Sequence, residues 1–311
     1  MTRSQIEYIL AVEQLRNFGK AADYCHITQS TLSAMVAKVE SQIGVYIFNR
    51  KSKPVSVTAE GKKIIAQLKN IHREFLIFDE AVNQIKGIET GNLSIAAIPT
   101  VAPYLFPLIL GDIAAKFPQV NFTVHELTTS KIVNDIKSGK IDIGIVSTPL
   151  NEGELIETHL YNEPFVVYDK RPDHLKSESG ITIDSIDSSK LLLLEEGHCL
   201  SNQVLKICKL EQVQKLHPSM TYYSGSIESL KRMVDVNEGI TLLPAFSVKD
   251  ASDEELKFIR SFDPPIPSRQ IGLVTHKNFI KSNLAKGIIS IINEQTQPYI
   301  ENKELKIIMP F

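Results

Sequence analysis

The side chains of this 311-residue chain best suited to covalent chemistry are its three cysteines, Cys25, Cys199 and Cys208. Cys199 follows an apolar run, Leu191–Leu194, and the segment Glu195-Glu196-Gly197-His198, and a helix is expected from about Leu200. Unpaired N–H groups at a helix start favour negative charge, and the thiolate is the reactive form of cysteine. A sensing thiol needs a depressed pKa, and a helix start here would favour one. The two glutamates oppose that, so a cation from elsewhere in the chain is required. Cys208 lies nine residues further on. On one continuous helix the two would stand ~13.5 Å apart along the axis and on opposite faces. A disulfide needs Cα atoms within about 7 Å, so a bond between them would demand that the helix unwind. The bland alternative is a pair of unrelated buried thiols, the commoner state of free cysteine. His198, Cys199 and Cys208 lack the short CxxC spacing of zinc sites, and neither a metal nor a cofactor is called for. Cys25 is expected in an apolar core.

Three cysteines do not make a disulfide-stapled secreted scaffold. With 43% hydrophobic and 23% charged residues the composition is that of a globular chain. No apolar run approaches the ~20 residues of a membrane span, and MTRSQIEYIL does not read as a secretory signal. The expectation is a cytoplasmic protein of about two domains. The net charge of −2 conceals an asymmetry. Residues 1–88 hold 12 Lys/Arg against 8 Asp/Glu, and residues 89–311 hold 22 against 28. A basic head on an acidic body suggests that the head meets a polyanion.

The head reads as short helices. Ile6, Ile9 and Leu10 mark the first, Gly19–His26 the second, and Thr28 caps a third from Ser30 to Gln42 that ends at Gly44. Two helices on a tight turn form a helix-turn-helix, in which the second helix enters the major groove of double-stranded DNA. Gln29, Ser30, Thr31, Ser33 and Lys38 would face the bases. Arg50, Lys51 and Lys53 in the following RKSKPVSVTAEG would form a basic β-wing on the phosphates. After Thr58, Ile64, Leu68, Ile71, Phe75, Phe78, Val82 and Ile85 recur at spacings of 4, 3, 4, 3, 4 and 3. That is the a/d seam of a two-stranded coiled coil, so dimerisation through this helix is expected.

From Gly91 the pattern alternates between strands and helices. Strands are predicted at Leu93–Ile98, Asn121–Glu126, Asp142–Ser147, Phe165–Tyr168, Leu191–Leu194, Thr221–Tyr223, Ile240–Leu243 and Ile271–Thr275. Helices are predicted at Tyr104–Phe117, Lys131–Lys137, Leu200 onward and Ile227–Val236. This βαβ logic implies parallel sheets folded as two lobes. Gln297–Phe311 carries no readable signal. The predicted architecture is an all-α winged helix-turn-helix over residues 1–58 and a coiled-coil linker helix over 59–88. A two-lobed α/β domain follows over 89–311, with lobe I at about 89–163 and 269–311 and lobe II at about 164–268.

The run AADYCHITQSTLSAMVAKVESQIGVYIFNR, followed by VTAEG, resembles the winged helix-turn-helix of LysR-type transcriptional regulators, and the likeness extends over the whole chain. LLLLEEGHCLSNQVLKIC and SIESLKRMVDVNEGITLLPA resemble the peroxide-sensing members of that family. The resemblance implies that residues 89–311 are a periplasmic-binding-protein-like regulatory domain. The chain would be a non-enzymatic activator of oxidative-stress genes, a homodimer or homotetramer joined through the linker helix and regulatory domain. It implies contact with DNA and RNA polymerase, hydrogen peroxide as the signal and a thioredoxin- or glutaredoxin-type reductant. It makes Cys199 peroxidatic and Cys208 resolving, joined as a disulfide on oxidation, and places Thr100, Thr129, His198 and Arg269 around the peroxide. Arg269 would be the compensating cation. Taken singly, Thr100 and Thr129 read as helix caps. Ser30 departs from the Pro found there in many relatives, which bears on the rigidity of the helix start. Two other readings remain. One is a LysR-type regulator binding a metabolite between its lobes with incidental cysteines, and the other is a thiol peroxidase whose head only dimerises.

Overall fold

The computed structural model describes residues 1–86, 89–171, 180–195, 199–210, 224–299 and 304–310. The chain divides into a head, Met1–Ile88, and a body, Glu89–Phe311.

In the head, α1 (Arg3–Leu15) starts from a capping box in which Thr2 and Gln5 satisfy each other's backbone donors. Asn17 caps α2 (Phe18–Tyr24), and Thr28 caps α3 (Gln29–Ile43) by accepting from the Thr31 N–H. Gly44, at φ 69°, ends α3 in the left-handed conformation that glycine adopts without strain. Strands β1 (Phe48–Asn49) and β2 (Ser56–Val57) pair antiparallel as the wing. The Thr58 hydroxyl then accepts from the Gly61 N–H at the start of α4 (Ala59–Lys86). Ile6, Ile9, Val12, Leu32, Val36, Ile47 and Leu68 fill the core of this unit. Leu68 is thus not a free seam residue; it packs within its own head. Further along α4, Ile71, Phe75, Phe78 and Ile85 are exposed, Ile85 to 86%. Cys25 is half-buried at the edge of this core rather than inside it.

The body is a two-lobed α/β unit. Its elements run β3 (Gly91–Ala97), α5 (Ala102–Lys116), β4 (Val120–Glu126), α6 (Thr129–Lys137), β5 (Ile143–Thr148) and β6 (Leu155–Asp169). After these come α7 (Cys199–Ile207), α8 (Ile227–Asn237), β7 (Ile240–Pro244), α9 (Asp253–Leu256) and β8 (Ile259–Ser261). The last are β9 (Ile266–His276), α10 (Ser282–Thr296) and β10 (Leu305–Ile307). The sheet order is β4-β3-β5-β9-β6-β7, with β10 beside β9 and β8 beside β6.

The sheet is mixed, not parallel as expected. β3 pairs parallel with β4 and β5, but β9 pairs antiparallel with β5 and β6, and β6 antiparallel with β7. The reason is that β6 and β9 are long strands traversing both lobes, with a bulge between His159 and Tyr161 that bends β6. One end of β6 supplies Leu160 and Tyr161 to an apolar cluster with α5, α6 and α10. Its other end supplies Phe165–Tyr168 to a second cluster with α7, α8 and β7. The expected strand Leu191–Leu194 is instead two isolated bridges, Leu191 to Ile240 and Leu194 to Ser224. Two different partners at its two ends keep it from forming one ladder. The expected strand Thr221–Tyr223 lies outside the described residues.

Candidate redox site

Two pairs of the predicted body residues meet, Thr129 with Cys199 and Thr100 with Arg269. β3 ends just before Thr100, α6 begins at Thr129, and α7 begins at Cys199. Gly144 on β5 lets α6 lie close, because a Cβ there would strike Ile132 and Ile136 of α6. The Thr129 hydroxyl lies 3.0 Å from Cys199 Sγ. The preceding Thr128 is the N-cap residue of α6, so Thr129 does not cap its helix. Thr100 is no cap either. Its Oγ1 accepts from Arg269 Nη1 at 2.8 Å and its carbonyl from Arg269 Nη2 at 3.0 Å.

Arg269, on β9, is 0% exposed. Glu163 faces it in the β6–β9 register, 1% exposed; its Oε2 accepts from Arg269 Nε at 2.8 Å and lies 2.7 Å from Nη2 as an ion pair. Glu163 Oε1 accepts from the Phe246 N–H at 3.1 Å. Sequence reasoning missed Glu163. Its only signal was a carboxylate inside the otherwise strand-like run Leu160–Asp169. Burial pushes Glu163 upward, while Arg269 and the Phe246 N–H pull it down. A buried arginine without such a partner is costly, so the pair must hold together.

Cys199 is 5% exposed and a free thiol. Burial raises its pKa above the usual cysteine value, against the opposing pull of Thr129, the Arg269 charge and its own backbone N–H. The expectation of a depressed pKa is therefore corrected. Desolvation outweighs the helix N-terminus and the cation. A cavity of about 400 Å³, lined by Thr129, Ser130, Val133, Asn134 and Asn202 among others, reaches Cys199.

Cys208 follows the last residue of α7, and its N–H donates to Val204 O at 2.9 Å, continuing the helical pattern. It is half-buried and free, pushed up to about 11 by burial. The two cysteines thus bracket one continuous helix, the arrangement in which their separation of ~13.5 Å forbids a disulfide. The helix is tied down near its start and at its middle. The Ser201 hydroxyl donates to Leu194 O at 2.7 Å. Gln203, fully buried, donates to Ile308 O at 2.7 Å and to Ser147 Oγ at 3.3 Å. Ile308 follows β10, which pairs with Ile266–Ser268 immediately before Arg269. Ile308, in the stretch 297–311 that carried no signal, is therefore bonded to α7. His198 lies outside the described residues.

In the head, Gln29, Ser30, Thr31 and Lys38 are exposed on α3, and Lys53 is exposed on the wing. Ser33 is half-buried instead of fully outward, because Arg50 Nη1 donates to its hydroxyl at 2.8 Å. Arg50 also bridges to the buried Glu40 at 3.0 Å and sits over the Phe18 ring at 4.9 Å. Glu40 in turn accepts from the Ile47 and Phe48 N–H groups, so Arg50 is held at the junction of helix and wing.

Two family descriptions match the chain. A bacterial regulatory helix-turn-helix protein of the lysR family covers residues 4–62, and a LysR substrate binding domain covers residues 86–297. The chain belongs to the LysR family. LysR-family proteins are transcriptional regulators, not enzymes. A hydrogen peroxide-inducible genes activator of Haemophilus influenzae is 30% identical over 97% of this chain and 99% of its own. The DNA-binding transcriptional dual regulator OxyR of Escherichia coli is 32% identical over 88% and 89%. A full-length OxyR variant of Pseudomonas aeruginosa superposes with a TM-score of 0.73 at 29% identity, covering 94% of each chain. Among the described residues of this LysR-family chain, no helix is long and apolar enough to cross a membrane.

Proposed function

We propose that this LysR-family regulator senses hydrogen peroxide through Cys199 and answers by forming a Cys199–Cys208 disulfide that remodels α7. The observation that carries the reading is the Cys199 thiol 3.0 Å from the Thr129 hydroxyl and within the field of Arg269, which itself holds Thr100. In the first step the Cys199 thiolate attacks one peroxide oxygen, and the O–O bond breaks. The departing hydroxide takes up the released proton as water, leaving a sulfenic acid on Cys199. Thr129 donates to the sulfur as it ionises. The Thr100 hydroxyl, already accepting from Arg269, has its own proton free for a peroxide oxygen. In the second step Cys208 sulfur attacks Cys199 Sγ, the S–O bond breaks, and a second water leaves. Two electrons have then passed from the thiols to the peroxide. A thioredoxin- or glutaredoxin-type dithiol returns them.

The second step needs α7 to unwind, and this is the mechanical signal. The head binds double-stranded DNA. Gln29, Ser30, Thr31 and Lys38 face the base edges, Ser33 lies at the edge of that face under Arg50, and Arg50 and Lys53 meet phosphates. Dimers form along the exposed part of α4, homotetramers through the body as well, and RNA polymerase is contacted at the promoter. The protein works in the cytoplasm, where both DNA and dithiol reductants are found. Thiol mapping of the full chain after one equivalent of peroxide tests the reading: a Cys199–Cys208 bond is expected. Unmodified thiols at both positions would leave regulation by a small metabolite, for which the 400 Å³ cavity beside Cys199 has the volume.

A further inference from the structure

We propose that Glu163 is the positioning residue of the peroxide site, aiming Arg269 at Thr100 while its negative charge tempers the pull of Arg269 on the Cys199 thiol. The inference rests on the peroxide reading above and concerns how readily that site reacts.

The geometry is specific. A guanidinium is a planar fork with five N–H donors. Glu163 holds Nε by a hydrogen bond and stands 2.7 Å from Nη2, which leaves Nη1 for the Thr100 hydroxyl and Nη2 for the Thr100 carbonyl. The carboxylate is itself anchored by the Phe246 N–H, so β6, β9 and the loop after β7 jointly set the direction of the fork. Rotating the guanidinium would withdraw Nη1 from Thr100 and leave the threonine proton unaimed.

The charge matters separately. Cys199 faces Thr129 from α6 and the Arg269 cation from β9, and Glu152 shares its cavity. Around the Glu163–Arg269 pair stand Tyr161 on β6 and Tyr104 on α5, the latter donating to Glu228 on α8. Burial raises both phenols, so both stay neutral. Glu163 is thus the anion that directly offsets Arg269. The ion pair with Glu163 opposes the field that Arg269 exerts at the sulfur.

The test uses the full chain with Cys25→Ser and Cys208→Ser, so that only Cys199 is read. The pH midpoint of its alkylation by iodoacetamide and its second-order rate with hydrogen peroxide are measured. Glu163→Gln keeps an acceptor for Arg269 but removes the charge. The midpoint should fall by about one pH unit. The peroxide rate at pH 7 should rise only about threefold, because a less basic thiolate is a weaker nucleophile. Glu163→Asp keeps the charge but shortens the reach; the midpoint should hold while the peroxide rate falls by about 10²-fold. Should Glu163→Gln not fold, the Glu163→Gln/Arg269→Gln pair removes both charges together. Its midpoint should stay near the parent's while its peroxide rate drops. A Glu163→Gln midpoint that stays or rises, a pair whose midpoint moves, or a Glu163→Asp rate equal to the parent's overturns the proposal. A parent Cys199 inert to peroxide would instead sink the peroxide reading, and the alkylation midpoints would still decide the charge effect.

Discussion

Thr129→Val removes the hydroxyl that touches the Cys199 sulfur among the described residues while conserving the side-chain shape. The bond is 3.0 Å long and buried. Once the sulfur is ionised only the threonine can donate, and a hydrogen bond to a charged group contributes about 1.5–3 kcal/mol. At about 1.4 kcal/mol per pH unit, its loss should raise the Cys199 midpoint by about 1–2 pH units. The sign follows from Thr129 lowering the thiol pKa in the parent. Because burial already holds that pKa above the usual cysteine value, the thiolate fraction at pH 7 should fall about 10- to 100-fold. Greater nucleophilicity recovers part of the loss, leaving a peroxide rate about 3- to 10-fold slower. Alkylation across pH 6–11, in a chain with Cys25→Ser and Cys208→Ser, reads the midpoint directly. A midpoint that fell would show that the thiol donates to Thr129 in the resting state, and the reasoning on thiolate stabilisation would be wrong. An unmoved midpoint would show that the bond does not matter to ionisation.

Deleting residues 304–311 removes the Gln203–Ile308 tie, worth about 1 kcal/mol for a buried neutral hydrogen bond. The disulfide should then be favoured by about 20 mV, read in a dithiothreitol redox buffer, since 30 mV corresponds to about 1.4 kcal/mol in a two-electron couple. Phe78→Glu with Ile85→Glu places charge on exposed apolar positions of α4 without touching the head's core. Light scattering should show dimerisation weakened by about 10²-fold or more. On DNA, Lys53→Gln should weaken binding to all sequences alike and reduce the salt slope by about one, whereas Gln29→Ala should change base preference by about 1–3 kcal/mol in competition assays. Lys53 is the better phosphate probe because altering Arg50 would also strand the buried Glu40.

Local chemistry in the sequence anticipated the local structure. Thr28 and Gly44 bound α3 and Thr58 caps α4, each through a cap that depends on a few neighbouring residues, and α7 starts at Cys199, next to the expected Leu200. Long-range pairings were not legible. The Glu163–Arg269 contact joins residues 106 apart in sequence, and no local period announces it. The same holds for the antiparallel course of β6 and β9, which turned an expected parallel sheet into a mixed one. The heptad spacing continued unbroken through Leu68, yet tertiary packing gave that position to the head's core. For Cys199 the helix N-terminus was readable, but the burial that outweighs it was not. The tail segment Leu305–Ile307 is strand only because β9 offers it an edge.

The central claim is that α7 cannot be both a helix and a disulfide loop. Full-length reduced protein should be treated with one equivalent of hydrogen peroxide for seconds, quenched by alkylation, and mapped by mass spectrometry alongside limited proteolysis. The account predicts an intramolecular Cys199–Cys208 bond, faster cleavage between Leu200 and Ile207, and reversal of both by a dithiol. A Cys199–Cys208 bond formed with no change in cleavage of that segment would contradict it, as would oxidation confined to Cys25.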